Sequence, residues 1–125
     1  MLPTELRLHA DKTTLTITWP DLTAELSAEY LRVESPSAEV KGHGVGQAML
    51  VPGKQGLTIT QLEPVGAYAV KIHFADGHRT GLFTWDYLYQ LANEYPTRWA
   101  AYADALATHG LTRTQLAAPV KRHAI

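Results

Sequence analysis

The chain contains no cysteine. That absence excludes disulfide cross-links, thiolate catalysis, iron–sulfur ligation by the chain's own thiols and every cysteine zinc site. It fits a reducing compartment. Net charge is nearly absent as well: 11 Lys and Arg against 12 Asp and Glu leave a formal −1. That balance supplies no drive toward nucleic acid, whose binding needs several cationic contacts to phosphate. No apolar run approaches the ~18–20 residues that span a bilayer. The opening MLPTELRLHADK lacks the apolar stretch of a secretory signal. The expectation is a soluble, cytoplasmic protein with no nucleic-acid or membrane partner.

What is present suits one domain. The chain has 125 residues, 46% of them hydrophobic and 18% charged, enough for a single core. Leu6 and Leu8, then Leu15, Ile17 and Trp19, alternate with polar residues and predict two strands joined near Asp11-Lys12. Pro20-Asp21 marks a turn, and Thr23–Leu26 suits a third strand. Ser27 suits the N-cap of a short helix through Leu31, with Glu29 in its first turn and Pro36 blocking any continuation. Residues 35–56 are punctuated by glycine and proline and predict a long loop, interrupted by a short strand at Ala48–Val51. Leu57–Leu62 and Ala67–Ala75 read as strands around a type I turn at Glu63-Pro-Val-Gly66. His78–Phe83 reads as the returning strand. Thr84 then suits the cap of a helix over Trp85–Ala92, and Pro96 the first turn of another, stopped by Gly110. Strands first and helices last predict an α+β single domain: an antiparallel sheet of about five to seven strands with C-terminal helices packed on it. The domain is expected over 1–112, with a flexible tail at 113–125.

The stretch FADGHRTGLF carries the chemistry worth weighing. Asp76-Gly77 between strand-like runs predicts a two-residue type I′ hairpin. Ala75 would then face His78, Phe74 would face Arg79, and His73 would face Thr80. Tyr68, Val70, Ile72, Phe74, Gly81 and Phe83 would form the core face. His73 and His78 would share the polar face as diagonal neighbours, roughly 7–8 Å apart. Two readings stay open: a solvated sheet face, or a metal or proton-handling site with Asp76, or with His43 from the long loop, as a further ligand. Gly42-His-Gly-Val-Gly46 lacks the Gly-Lys-Ser/Thr ending of a phosphate loop. Ser35 and Ser37 near Glu39 lack a nucleophile-elbow pattern. Trp85, Tyr87, Tyr89, Tyr95, Trp99 and Tyr102 are numerous for so short a span, and Tyr87 and Tyr89 fall off the apolar helix stripe, as partner anchors would.

Leu31-Arg-Val-Glu-Ser-Pro-Ser-Ala-Glu-Val40, Gly-His-Gly, Glu-Pro-Val-Gly-Ala-Tyr-Ala-Val and Asp-Gly-His-x-x-Gly-Leu-Phe-x-x-x-Tyr-Leu, in that order, resemble the gamma-butyrobetaine hydroxylase-like N-terminal domain family. The resemblance implies a small bacterial domain of unknown function. Such domains also stand at the front of carnitine-pathway 2-oxoglutarate oxygenases and at the end of plastid iron–sulfur carriers of the Mrp type. In the hydroxylases the resemblance implies a structural zinc, held by a Cys-Pro-Cys-x-x-Cys run after a Leu-Arg pair and by one later histidine. The pair falls here on Leu31 and Arg32. The cysteines fall on Ser35, Ser37 and Val40, and the histidine on His78. The zinc site is therefore expected to be absent, with no cofactor in its place. The chain ends where an oxygenase domain would begin, so hydroxylase activity is not expected.

The resulting expectation is a non-enzymatic binding or adaptor module, monomeric or a weak homodimer, with an unknown protein partner. The fusions suggest iron–sulfur or metal-protein assembly as its context. The alternative is a metal or acid–base site on His73 and His78. The candidate site residues are His78, His73, Asp76, His43, Arg32 and Tyr87.

Overall fold

A computed structural model of the chain describes residues 2–36, 50–78 and 81–114. Strands β1 (Glu5–Leu8), β2 (Thr14–Trp19) and β3 (Leu22–Ser27) form one antiparallel sheet in the order β1-β2-β3. The period-two pattern explains β2: Leu15, Ile17 and Trp19 are buried, whereas Thr14 and Thr18 are only half-buried. Thr16 is buried too, and its hydroxyl is satisfied by His9 Nε2 at 2.7 Å. Strands β4 (Ile59–Val65), β5 (Ala69–Phe74) and β6 (Leu82–Thr84) form a second antiparallel sheet. The strands expected in one sheet thus divide into two three-stranded sheets. The Ile59 N–H bonds the Lys12 carbonyl at 2.8 Å and joins their margins.

Three helices complete the α+β order: α1 (Ala28–Val33), α2 (Trp85–Asn93) and α3 (Tyr95–Thr108). Ser27 Oγ accepts the Tyr30 N–H at 3.0 Å and starts α1, which runs past the expected Leu31 to Val33. Thr84 Oγ1 caps α2 in the same way through the Tyr87 N–H. Pro96 opens α3, and Gly110 follows its end at φ +68°. Leu15, Ile17, Trp19, Leu31, Ile72, Phe83, Leu88 and Leu91 meet in one core cluster. Tyr30 sits inside it, fully buried. Its hydroxyl donates to the Leu91 carbonyl at 2.7 Å, and its ring meets Tyr95 and Trp99 edge-on at 4.9 and 6.1 Å. Burial pushes this phenol well above its ordinary range.

Three local expectations change. The expected turn at Glu63–Gly66 is strand: Pro64 pairs with Val70, and β4 continues to Val65. Pro64 is tolerated because β4 is an edge strand, where a missing N–H breaks no ladder on the open side. The turn lies instead at Gly66–Tyr68, with Gly66 at φ +57°. Tyr68 therefore leaves the core face and is 54% exposed. Of the strand expected at Ala48–Val51, Leu50 and Val51 are not strand, and the remainder lies outside the described residues. Contacts also continue past 112. The Gly53 N–H bonds the Thr112 carbonyl at 3.0 Å, and the Gln55 N–H bonds the Arg113 carbonyl at 2.9 Å. Residues 115–125 of the expected tail lie outside the described residues. Among the described residues, no helix is long and apolar enough to cross a membrane.

Tyr30→Phe removes a buried donor and leaves the Leu91 carbonyl without it. A loss of about 1–2 kcal/mol is expected, read from urea unfolding as a lower midpoint at unchanged slope.

Candidate functional site

The hairpin between β5 and β6 is not the expected two-residue turn. The Gly77 N–H bonds the Phe74 carbonyl at 3.0 Å, and the Phe74 N–H bonds the His78 carbonyl at 2.9 Å. Only Gly77 takes positive φ, at +93°, and Asp76 does not. The loop is therefore Ala75-Asp76-Gly77, a type I turn closed by a left-handed glycine. His78 stands opposite Phe74 rather than Ala75. A one-residue shift changes the face a side chain takes, and the His78 ring lies 5.9 Å from the Phe74 ring, on the core side. Further up the hairpin the expected register holds, with Lys71 opposite Leu82 and Val70 opposite Phe83. The pairings expected for Arg79 and Thr80 lie outside the described residues.

Asp76 is the hub of the turn. Its Oδ1 accepts the His78 backbone N–H at 3.0 Å. Its Oδ2 takes Arg32 Nε at 2.9 Å and Lys54 Nζ at 2.7 Å. Burial alone would raise this carboxyl, but the Lys54, His78 N–H and Arg32 donors outweigh it and hold the group at about 2. One carboxylate thus joins the hairpin tip to α1 and to the segment that leads into β4.

Beside this hub, Ser35 Oγ lies 3.0 Å from His78 Nε2. Ser35 is buried. The backbone at Gly81 approaches so closely that a Cβ there would collide with Ser35 Oγ and lie 3.0 Å from the Phe83 ring. His73 is placed elsewhere: its Nε2 pairs with Glu63 Oε1 at 3.0 Å across the neighbouring strand. That hydrogen bond, with Lys71 nearby, lowers the Glu63 carboxyl below its ordinary range. The two histidines expected to share a site therefore take different partners on different elements. Tyr87, expected as a partner anchor off the buried stripe, is half-buried and engaged within the fold. Its hydroxyl donates to the Glu34 carbonyl at 2.6 Å, and its ring stacks on Phe83 at 6.1 Å. Burial and the Glu34 charge raise its phenol. Arg98 lies over the same ring and pairs with Glu34 at 2.7 Å. Tyr89 is likewise engaged, with Asp21 at 2.6 Å and with the Trp19 ring. His43, Ser37 and Val40 lie outside the described residues.

Lys54 and Glu63 are the participants that the sequence reading passed over. Lys54 sits between Gly53 and Gly56, where nothing local announces an ion pair, and Glu63 precedes Pro64 in what reads locally as a turn. The described residues at the zinc-equivalent position do not suit a zinc ion. They offer one imidazole nitrogen and a serine hydroxyl, which stays protonated and binds zinc poorly near neutral pH. Among the described residues no group of three or more His, Cys, Asp or Glu could hold a metal.

Fold and site together define a small α+β domain whose hairpin tip is clamped onto its first helix by an ion-pair hub and a serine–histidine bond. The gamma-butyrobetaine hydroxylase-like, N-terminal family model matches residues 6–89, and the chain belongs to that family. Two proteins solved in solution by NMR are similar to it. One is 45% identical, with a TM-score of 0.80, over 96% of this chain and 95% of that one. The other is 41% identical, with a TM-score of 0.76, over 92% and 86%. A crystal structure from Acidithiobacillus ferrooxidans, of a DUF971-family protein of unknown function, is 40% identical over 72% of this chain and 91% of that one, with a TM-score of 0.60. No curated protein matches the chain.

Two outcomes test the clamp. Asp76 is held below its ordinary 3.8 in the fold, so its contribution is present above that value and is lost as pH falls toward about 2. Partial exposure trims the contribution to about 1–2 kcal/mol. Asp76→Asn should lose that amount at pH 7 and show a flatter stability–pH curve between the two values. Gly81→Ala should cost about 1–3 kcal/mol through overpacking, and Ser35→Ala in the same chain should return part of it, as read by thermal unfolding.

Proposed function

We infer that this domain is a non-enzymatic binding module that engages a protein partner in the cytoplasm, as a monomer or weak homodimer. The observation that carries this reading is what the fold does with its polar groups. Asp76, Arg32, Lys54, Ser35, His78, His73 and Glu63 bond to one another, and that work is structural. Apolar groups face outward instead. Leu2 and Tyr68 are 63% and 54% exposed, beside the half-buried Trp85. With Ala67, Thr84 and Asp86 they line a concavity of about 420 Å³ at the β4–β5 turn. Trp85 is held there by its indole N–H on the Ala67 carbonyl at 2.9 Å. Fixed aromatic side chains at a concave rim are the usual anchors of protein interfaces. Iron–sulfur or metal-protein assembly is the context that the family's carrier fusions suggest.

The alternative, a metal or acid–base site on His73 and His78, meets the geometry at one point. Ser35 and His78 stand where the resemblance puts two zinc ligands, and they are in contact. In the proposed reading their hydrogen bond takes the place of the metal and the family's zinc has been lost.

Tyr68→Ser changes an exposed side chain, so unfolding should shift by less than about 0.5 kcal/mol. Affinity capture with wild-type and variant protein, followed by identification of the captured chains, should show a partner that the variant loses. An unchanged set of captured chains removes this surface from consideration. Untagged, dialysed protein should carry no stoichiometric metal. Stoichiometric metal that His78→Ala abolishes would establish the alternative.

A further inference from the structure

Four strands form the margins of the two sheets, and three of them are guarded. β4 carries Pro64 and a register shift between Ile59 and Gln61. β6 is only three residues long. β3 has α2 against it. Features of this kind keep an unpaired edge from pairing with another chain. β1 contains no proline, and its register with β2 runs unbroken from Glu5–Thr18 to Leu8–Leu15. Backbone bonds from the Thr4 N–H to the Thr18 carbonyl and from the His9 N–H to the Thr14 carbonyl extend the ladder at both ends. The His9 bond also sets the alternation. With His9 turned toward β2, Arg7 and Glu5 turn their backbone groups the same way. The N–H and C=O groups of Leu6 and Leu8 therefore point away from β2, along the open edge.

The side chains of β1 match that edge to a reversed copy of itself. Glu5 and Arg7 are exposed, whereas Leu6 and Leu8 are half-buried against the core. Among the described residues, neither Glu5 nor Arg7 is held in an ion pair. Charges on an edge ordinarily guard it. Here the two signs differ and stand two residues apart, so the order of charge reverses when the strand does. In an antiparallel pair with Leu6 opposite Leu6 of a second copy, Glu5 meets Arg7 of that copy, and Arg7 meets its Glu5. Leu6 then forms the hydrogen-bonded pair. The two charge pairs fall at the flanking positions, where opposed side chains come closest. Sliding by two residues keeps the same backbone groups in register but puts Arg7 against Arg7, or Glu5 against Glu5, and like charges directly opposite are unfavourable. In the matched register Leu8 of the second copy comes opposite Thr4. It arrives beside a concavity of about 330 Å³ lined by Leu2, Thr4, Leu6, Ala67 and Trp85.

We propose that β1 is a self-recognition edge, through which two copies of this chain pair antiparallel about Leu6 and join their β1-β2-β3 sheets across a two-fold axis. The inference rests on the weak-homodimer reading above and names its surface. So short a contact gives a dissociation constant on the order of 0.1–1 mM. Sedimentation equilibrium of the full chain should show a reversible monomer–dimer equilibrium in that range, and the Leu6 amide resonance should move with protein concentration. Glu5→Arg alone, or Arg7→Glu alone, turns both attractive pairs into repulsive ones and should weaken dimerisation about tenfold or more. Both side chains are exposed, so the melting temperature should hold. The double variant Glu5→Arg, Arg7→Glu restores opposite pairs and should dimerise as wild type does. An equimolar mixture of the two single variants should form a heterodimer although each alone does not. A wild type that stays monomeric at millimolar concentration overturns the proposal. So do single variants that dimerise like wild type, or a mixture that does not associate. Such a failure leaves capture of another protein through Tyr68 untouched, because no other protein enters the experiment.

Discussion

The carboxylate of Asp76 is the point from which the rest of this structure is held. Its two oxygens take a guanidinium from α1, an ammonium from the segment before β4, and a backbone N–H of its own turn. Arg32 and Asp76 are far apart in sequence, and only folding brings them together. Two unit charges about 4 Å apart attract by about 4 kcal/mol where the effective dielectric is near 20, before the cost of desolvating them is counted. The three side chains are between 16% and 23% exposed, so the pairs are shielded from most of the solvent screening that weakens surface salt bridges. The consequence is positional. With the turn fixed, His78 is delivered to Ser35, and Gly81 passes against that pair with no room for a side chain.

The opposite end of α1 is held by different physics. Tyr30 is surrounded by core side chains and reaches across to the end of α2, and one residue before it Glu29 faces Arg113. A helix of only six residues has little intrinsic stability. Here it is kept in place by the Ser27 cap, by the Tyr30 aromatic contacts, and by charge pairs through Glu29, Arg32 and Glu34. α1 is therefore the common support of the hairpin clamp, of the Glu34–Arg98–Tyr87 cluster and of the Glu29–Arg113 pair.

Much of the fold was legible because local signals agreed with one another. The threonine-spaced run of β2, the Ser27 and Thr84 caps, Pro96 and Gly110 all act within a few residues, and each marks its element correctly. The failures come from non-local causes. Pro64 reads as a turn residue unless its strand is known to be an edge. Asp76-Gly77 fits both a two-residue and a three-residue loop. The choice of the longer loop accompanies the Asp76 side chain reaching Arg32 and Lys54, which no local pattern encodes. That single residue of difference moved His78 from the side of His73 to the side of Ser35. The candidate site was thus readable as residues, with Asp76 and His78 adjoining in the chain, but the pairing of Arg32 with Asp76 was not readable, and neither was the arrangement. Tyr87 departs for a related reason: helical spacing puts it off the buried stripe, yet Glu34, the C-cap of α1, supplies a carbonyl at that very place.

The contact between Ser35 and His78 joins the end of α1 to the hairpin. A metal ion there would cross-link the end of α1 to the hairpin with bonds that contribute folding energy outright. A neutral hydrogen bond contributes only about 1 kcal/mol net and cannot replace that energy by itself. It can replace the geometry, provided something else supplies the strength. The Asp76 hub joins the same two segments, α1 and the hairpin tip, through charge-assisted bonds, which are roughly twice as strong as neutral ones. The serine is also closed in by Gly81 and Phe83, so its hydroxyl is held where the histidine can meet it. In the proposed reading the division of labour is therefore specific. Asp76 carries the energy of the cross-link and Ser35–His78 carries its register.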